Sequence, residues 1–184
     1  KYVIKNDRNA GEFVWTGFDY IGEPTPWNGV STGSVSGQGA APKSSYFGIV
    51  DTAGFEKDIY YLYQSQWNDD VNTLHLLPTW NREDIYLSNG VATVQVFTDA
   101  YKVELYLNGE KIGEQTATEH TTEAGYKYYT FGDDELYPTF NVTYEAGTLE
   151  AKAYDKDGNE ITNTEGRSSV TTTGEAVTVD LSAD

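Results

Sequence analysis

The stretch KVELYLNGEKIGEQ, residues 102–115, constrains the fold more than any other part of the chain. Val103, Leu105 and Leu107 alternate with Lys102, Glu104 and Tyr106, which is the two-residue period of a strand with one buried face. Asn108 and Gly109 follow directly, and both residue types tolerate the positive φ angles of a two-residue hairpin. A one-residue slip would turn all three apolar side chains to solvent, so the pattern itself specifies the register.

The same texture runs from Asn72 onward. Short runs rich in Val, Thr and Tyr recur between turn signals, predicting strands near 73–78, 91–98, 102–107, 110–115, 127–131, 139–144, 148–154 and 160–171. Asp157-Gly158, between LEAKAYD and EITN, marks a second hairpin. About seven strands in roughly 100 residues predict an immunoglobulin-like β-sandwich over residues 71–173. With no cysteine in the chain, it is a sandwich without the disulfide. Its expected core holds Val94, Val96, Val103, Leu105, Leu107, Leu149, Ala151 and Ala153. Residues 174–184 include AVTVDLSAD (Ala176–Asp184), expected as the last strand of the sandwich or the first strand of a further, truncated domain.

Residues 1–70 are organised differently. Residues 1–10 have the pattern of a helix tail running into a turn. Gly11–Phe18 predicts a strand that is apolar on both faces in places (Phe13, Val14, Trp15), as in a sheet buried between layers. Thr25–Ser45 is rich in Gly, Ser and Pro and predicts a long surface loop, a length that is usually functional or mobile. Glu56–Gln66 predicts a helix. Phe55, Ile59 and Tyr63 recur every four residues with Leu62 beside them, and Glu56 and Asp58 suit the positive end of the helix dipole. Strand, long loop and helix make one βα unit. Its strand needs neighbours that are expected outside this chain.

Charge narrows the partners. The chain carries 29 acidic against 12 basic residues, a net charge of -17. Phosphate backbones and anionic lipid surfaces are both bound through Lys and Arg, so neither nucleic acid nor a membrane surface is expected as a partner. No run of about 18 apolar residues is present, so no membrane insertion is expected. DKDGNE (Asp155–Glu160) lacks the twelve-residue frame of a calcium loop and reads as a hairpin turn. His75 and His120 lie far apart, and no metal site or cofactor is expected.

Two long motifs carry a resemblance. GEFVWTGFDYIGEPTPW (residues 11–27), followed by SSYFGIVDTAGF and KDIYYLYQSQW, resembles the last βα unit of the catalytic (β/α)8 barrel of glycoside hydrolase family 2, the β-galactosidase family. LHLLPTWN, VQVFTDAYKVELYLNGEKIG and LEAKAYDKDGNEI resemble the immunoglobulin-like domain that follows that barrel. Glu56 stands where the family often has Pro, and Thr79 where it often has His. The resemblance implies a mainly-β fragment: the C-terminal end of a barrel over residues 1–70, then the sandwich. It also implies a bacterial parent that is secreted or held at the cell surface.

The family hydrolyses terminal β-galactosides with retention, through two glutamates about 5–5.5 Å apart. Both are expected upstream of Lys1, so no catalytic residue is assigned in this chain, and the isolated piece is expected to be inactive. Barrel sites lie at the C-terminal ends of the strands. The resemblance therefore makes Trp15, Asp19, Glu23 and Trp27 the candidate substrate-binding residues. Trp15 would form an apolar floor for the sugar, and Trp27 a platform beyond it. Asp19 and Glu23 would accept hydroxyl hydrogen bonds or hold neighbouring barrel residues. The expected partners are β-galactoside sugars and the remainder of the barrel. The alternative is a non-catalytic immunoglobulin-like module of a surface protein, whose aromatic extension docks glycans or a neighbouring domain. For the single residues, the structural alternatives are a core tryptophan of the sheet at Trp15, a solvated turn at Asp19 and Glu23, and loop packing at Trp27.

Overall fold

A computed structural model describes residues 2–21 and 44–174. Their elements are helices α1 (Tyr2–Lys5) and α2 (Asp58–Trp67), then eleven strands: β1 (Asn72–Leu77), β2 (Val91–Thr98), β3 (Lys102–Leu107), β4 (Glu110–Thr116), β5 (Thr118–Thr121), β6 (Lys127–Thr130), β7 (Thr139–Thr143), β8 (Thr148–Tyr154), β9 (Glu160–Ile161), β10 (Thr164–Glu165) and β11 (Ser169–Thr171).

The strands form a sandwich. One sheet has the order β10-β1-β2-β7, and the facing sheet has the order β11-β8-β3-β4 with β9 on β8. Neighbours are antiparallel except β1 and β10, which run parallel. The alternation in the sequence accounts for the core. Val103, Leu105 and Leu107 of β3 meet Leu149, Ala151 and Ala153 of β8 and, across the sandwich, Val94 and Val96 of β2. All eight residues of the expected core are buried. Trp80, absent from that expectation, is the largest fully buried side chain and donates its indole N–H to the Glu145 carbonyl at 2.8 Å. The Asn108-Gly109 turn has φ of 53° and 81°, the two positive angles that its hairpin requires.

Three local expectations change. The single strand foreseen over 160–171 is divided into β9, β10 and β11, because the chain leaves β8, crosses to pair with β1 on the opposite sheet, and returns to β8. The Asp157-Gly158 turn is longer than two residues: only Gly158 has positive φ, and the Asp155 N–H donates to the Asn159 carbonyl at 3.0 Å. Asp155 closes this loop by accepting the Asp157 and Asn159 amides at 2.9 and 2.8 Å. The β5–β6 hairpin was not foreseen in full, because TEHT has no apolar alternation to mark β5.

The N-terminal unit departs further. Gly11–Phe18 is not a strand in the described structure. Its one bridge pairs Phe18 parallel to Val50, and just beyond it Ile21 bridges antiparallel to Ser44. A buried strand is stabilised by ladders on both edges, and here a single short neighbour is present. Helix α2 begins two residues later than expected. Its own buried residues are polar, Gln64 and Ser65.

That polarity reflects where α2 docks. Four consecutive residues of β1, Thr73 to Leu76, are buried. Leu74 and Leu76 face the sandwich core, while Thr73 and His75 face α2. Gln64 bridges the two elements, accepting from the Thr73 hydroxyl at 3.1 Å and donating to Glu165 of β10 at 2.9 Å. The ring of Tyr61 stacks on His75 with centroids 4.0 Å apart. Helix α2 is thus fastened to the outer face of the first sheet by hydrogen bonds and a ring stack rather than by an apolar stripe. On the outer face of the second sheet, Glu104 accepts from Lys111, Tyr106, Lys102 and Tyr154. Those donors, Lys111 first, hold its carboxyl well below the usual range.

Candidate functional site

The described part of the candidate site is built where Gly17–Ile21 runs beside Ser44–Val50. Backbone bonds align the two segments. Asp19 N donates to Val50 O at 2.8 Å, Val50 N to Gly17 O at 2.9 Å, Ile49 N to Thr16 O at 3.1 Å and Ser45 N to Tyr20 O at 2.9 Å. Gly48 is required at the closest approach: a Cβ there would overlap the backbone of Phe18 and Asp19 and come within 2.8 Å of the Val50 carbonyl oxygen.

Asp19 is the centre of this arrangement. It is 8% exposed. Its Oδ1 accepts the Gly48 amide at 2.7 Å, and its Oδ2 accepts the Lys57 ammonium at 2.5 Å. Lys57 also donates to the Tyr46 carbonyl at 3.2 Å. A buried carboxylate is costly unless it is paired and hydrogen-bonded, and here each oxygen has a donor. Downstream, Asp51 closes the turn that leads to the helix by accepting the Ala53 and Phe55 amides at 2.8 and 2.9 Å. The Phe55 amide is the main cause holding the Asp51 carboxyl below its ordinary value.

Trp15 lies four residues before Asp19 and is 77% exposed. The Trp15–Thr16 peptide bond is cis, as is Leu77–Pro78. Phe13, Phe18 and Ile21 are also exposed, so this unit presents a broad apolar surface. Glu23 and Trp27 lie outside the described residues. The structure therefore places Trp15 and Asp19 on one short segment, one open and one enclosed. It adds Lys57, Gly48 and Tyr46, which the sequence analysis did not single out. No signal for Lys57 was present in the sequence, because the predicted helix began at Glu56; only the observed start at Asp58 places the lysine at the N-cap, where Ser, Thr, Asp or Asn is preferred.

The family model described as a domain of unknown function, DUF4982, matches residues 89–162, within the sandwich. The β-galactosidase BoGH2A of Bacteroides ovatus is 39% identical over 153 residues, covering 83% of this chain and 15% of that protein. A putative β-glucuronidase of Formosa agariphila is 37% identical over 147 residues, covering 79% of this chain and 12% of that protein. Among solved structures, a β-glycosidase from Bacteroides vulgatus matches with a TM-score of 0.58 at 26% identity, over 90% of this chain and 16% of its own. A glycosyl hydrolase family 2 member from Bacteroides cellulosilyticus matches with a TM-score of 0.59 at 25% identity, over 91% of this chain and 22% of its own.

The sandwich and the helix docked on it thus match one continuous part of larger glycosidases. Over most of its length the chain is similar to one part of glycoside hydrolase family 2 proteins. It spans only 12–15% of the length of the two curated relatives above.

Proposed function

We propose that the parent protein is a retaining β-galactosidase, and that this segment supplies part of its active-site wall and the sandwich that braces it. The observation that carries the proposal is the segment pinned at Asp19, whose two carboxylate oxygens lock the backbone four residues after Trp15. An indole covers the C–H face of a sugar ring without needing a polar partner there. The 39% identity to a β-galactosidase over 153 residues supports the same reading.

Charge favours a neutral sugar over a uronate. Recognition of a sugar carboxylate calls for a cation, best a bidentate one. Among the described residues around Asp19, the cation is Lys57, and it is already paired with Asp19. The exposed Phe13, Phe18 and Ile21 are the surface against which the remainder of the barrel would pack. The two glutamates of the retaining mechanism would come from that remainder, so this segment alone would be inactive.

The test is nitrophenol release by the full-length parent from nitrophenyl β-galactoside and nitrophenyl β-glucuronide, beside the 184-residue chain. The expected result is a higher kcat/KM for the galactoside in the parent and no turnover by the chain alone. A preference for the glucuronide would overturn the substrate assignment. Turnover by the pure 184-residue chain would overturn the division of labour.

A further inference from the structure

Lys57 breaks a local rule. It occupies the N-cap of α2 with extended backbone angles, and its side chain makes no capping hydrogen bond. A cation there faces the positive end of the helix dipole, and the favoured N-cap residues are short oxygen acceptors. Residues that oppose local preference tend to mark functional positions, where another interaction compensates. Here the compensation is distant in sequence. The ammonium reaches Asp19, 38 positions earlier, and the Tyr46 carbonyl.

The geometry points to Lys57 as a positioning residue of the substrate site in the parent glycosidase. This inference rests on the function proposed above. Lys57 ties together three parts of the site: the segment that bears Trp15 and Asp19, the returning segment Ser44–Gly48, and the start of α2. Asp19 relays the tie, because its second oxygen holds the Gly48 amide. Tyr46 is half-exposed, and the Lys57 ammonium fixes its backbone. Without the ammonium, Asp19 would remain buried with one oxygen lacking its donor, and the two segments would shift relative to each other. Displacements of about 1 Å at a binding surface cost up to roughly 10²-fold in rate when they reach the reacting geometry. The wall of a sugar pocket is felt first in binding.

The experiment uses the full-length parent, with Lys57→Met, Lys57→Arg and Asp19→Asn, and Lys111→Met on the outer face of the sandwich as a control. The expected result for Lys57→Met is a KM for an aryl β-galactoside raised on the order of tenfold, with kcat changed far less, since lost uniform binding appears in KM. Lys57→Arg recovers most of the loss, and Lys111→Met changes neither constant. The double variant Lys57→Met/Asp19→Asn is no worse than the poorer single one, because both act through one contact. Hydrogen exchange of the Ser44–Val50 amides should rise in Lys57→Met while the sandwich amides stay protected. A merely stabilising lysine would lower Tm and leave both kinetic constants of the folded enzyme at wild-type values; that outcome overturns the inference. Should Lys57→Met fail to fold, Asp19→Asn decides, since an unchanged KM in that folded variant is equally fatal. A wild-type parent that hydrolyses no β-glycoside refutes the proposed activity instead. In that case unchanged exchange at Ser44–Val50 separately refutes the tie.

Discussion

His75 donates its Nε2–H to Asp58 Oδ1 at 2.7 Å, across the junction between α2 and β1. The other ring nitrogen decides the tautomer. Nδ1 accepts the Arg167 backbone N–H at 3.2 Å, so it carries no proton, and the ring is neutral with its hydrogen on Nε2. Arg167 completes the cluster by donating to the Leu76 carbonyl through Nε and Nη2, at 3.1 and 3.0 Å. Helix, strand and the β10–β11 connection therefore meet at one set of polar contacts.

The junction predicts a pH dependence. The hydrogen bond from His75 holds the Asp58 carboxyl below its ordinary value of 3.8, against the opposing effect of burial. The folded-state value is the lower one. The stabilisation from Asp58 is therefore complete above the unfolded value, near pH 4, and is lost as pH falls through the folded value. Asp58→Asn should lower Tm at pH 7, and the gap to wild type should close in acid. The Asp58 side chain is 50% exposed, so the gap should stay below about 1 kcal/mol. Thermal melts of both proteins at several pH values check this. A gap that widens in acid contradicts the assignment.

The sandwich core predicts a large truncation effect. Leu105 is 0% exposed. Leu105→Ala should cost ~2–5 kcal/mol, from lost burial plus the cavity left behind. Ile112 on β4 is 42% exposed, and Ile112→Ala should fall within about 0.5 kcal/mol of wild type. Urea unfolding of the two variants gives both values, and similar costs would mean that β3 is misregistered.

Gly48 predicts a localised failure. A methyl group there meets the backbone of Phe18 and Asp19, so Gly48→Ala must push the two segments apart. The Asp19–Val50 and Gly48–Asp19 hydrogen bonds should be lost, and the amides of residues 17–20 and 48–50 should exchange faster. Sandwich amides should keep their protection. Gly174→Ala, with nothing within 4 Å of the added carbon, is the silent control. Unchanged exchange in Gly48→Ala would show that the close approach is absent in solution.

Trp15 and Asp19 predict a separation of roles in the full-length enzyme. There, Trp15→Ala should fold and lower kcat/KM through lost sugar contact. Asp19→Asn should cost less than loss of a catalytic glutamate, because an amide still offers one acceptor to the Gly48 N–H. Steady-state kinetics beside circular dichroism tests both. A folded Trp15→Ala with wild-type kcat/KM would assign the indole to packing against the rest of the protein.

The sandwich was legible in the sequence because its information is local. Alternation at Val103, Leu105 and Leu107 states which face is buried, and Asn108-Gly109 states where the chain turns; neither needs knowledge of a distant partner. The burial of His75 and Thr73 was not legible. Alternation places them on the outer face of β1, and only the docking of α2 over that face encloses them. The division of 160–171 into β9, β10 and β11 likewise depends on which sheet edge is within reach at each step. At the candidate site, the motif marked Trp15 and Asp19, but the pairing of Asp19 with Lys57 joins residues 38 apart. A lysine before a helix carries no local sign of its partner, because that contact exists only once the two segments lie side by side.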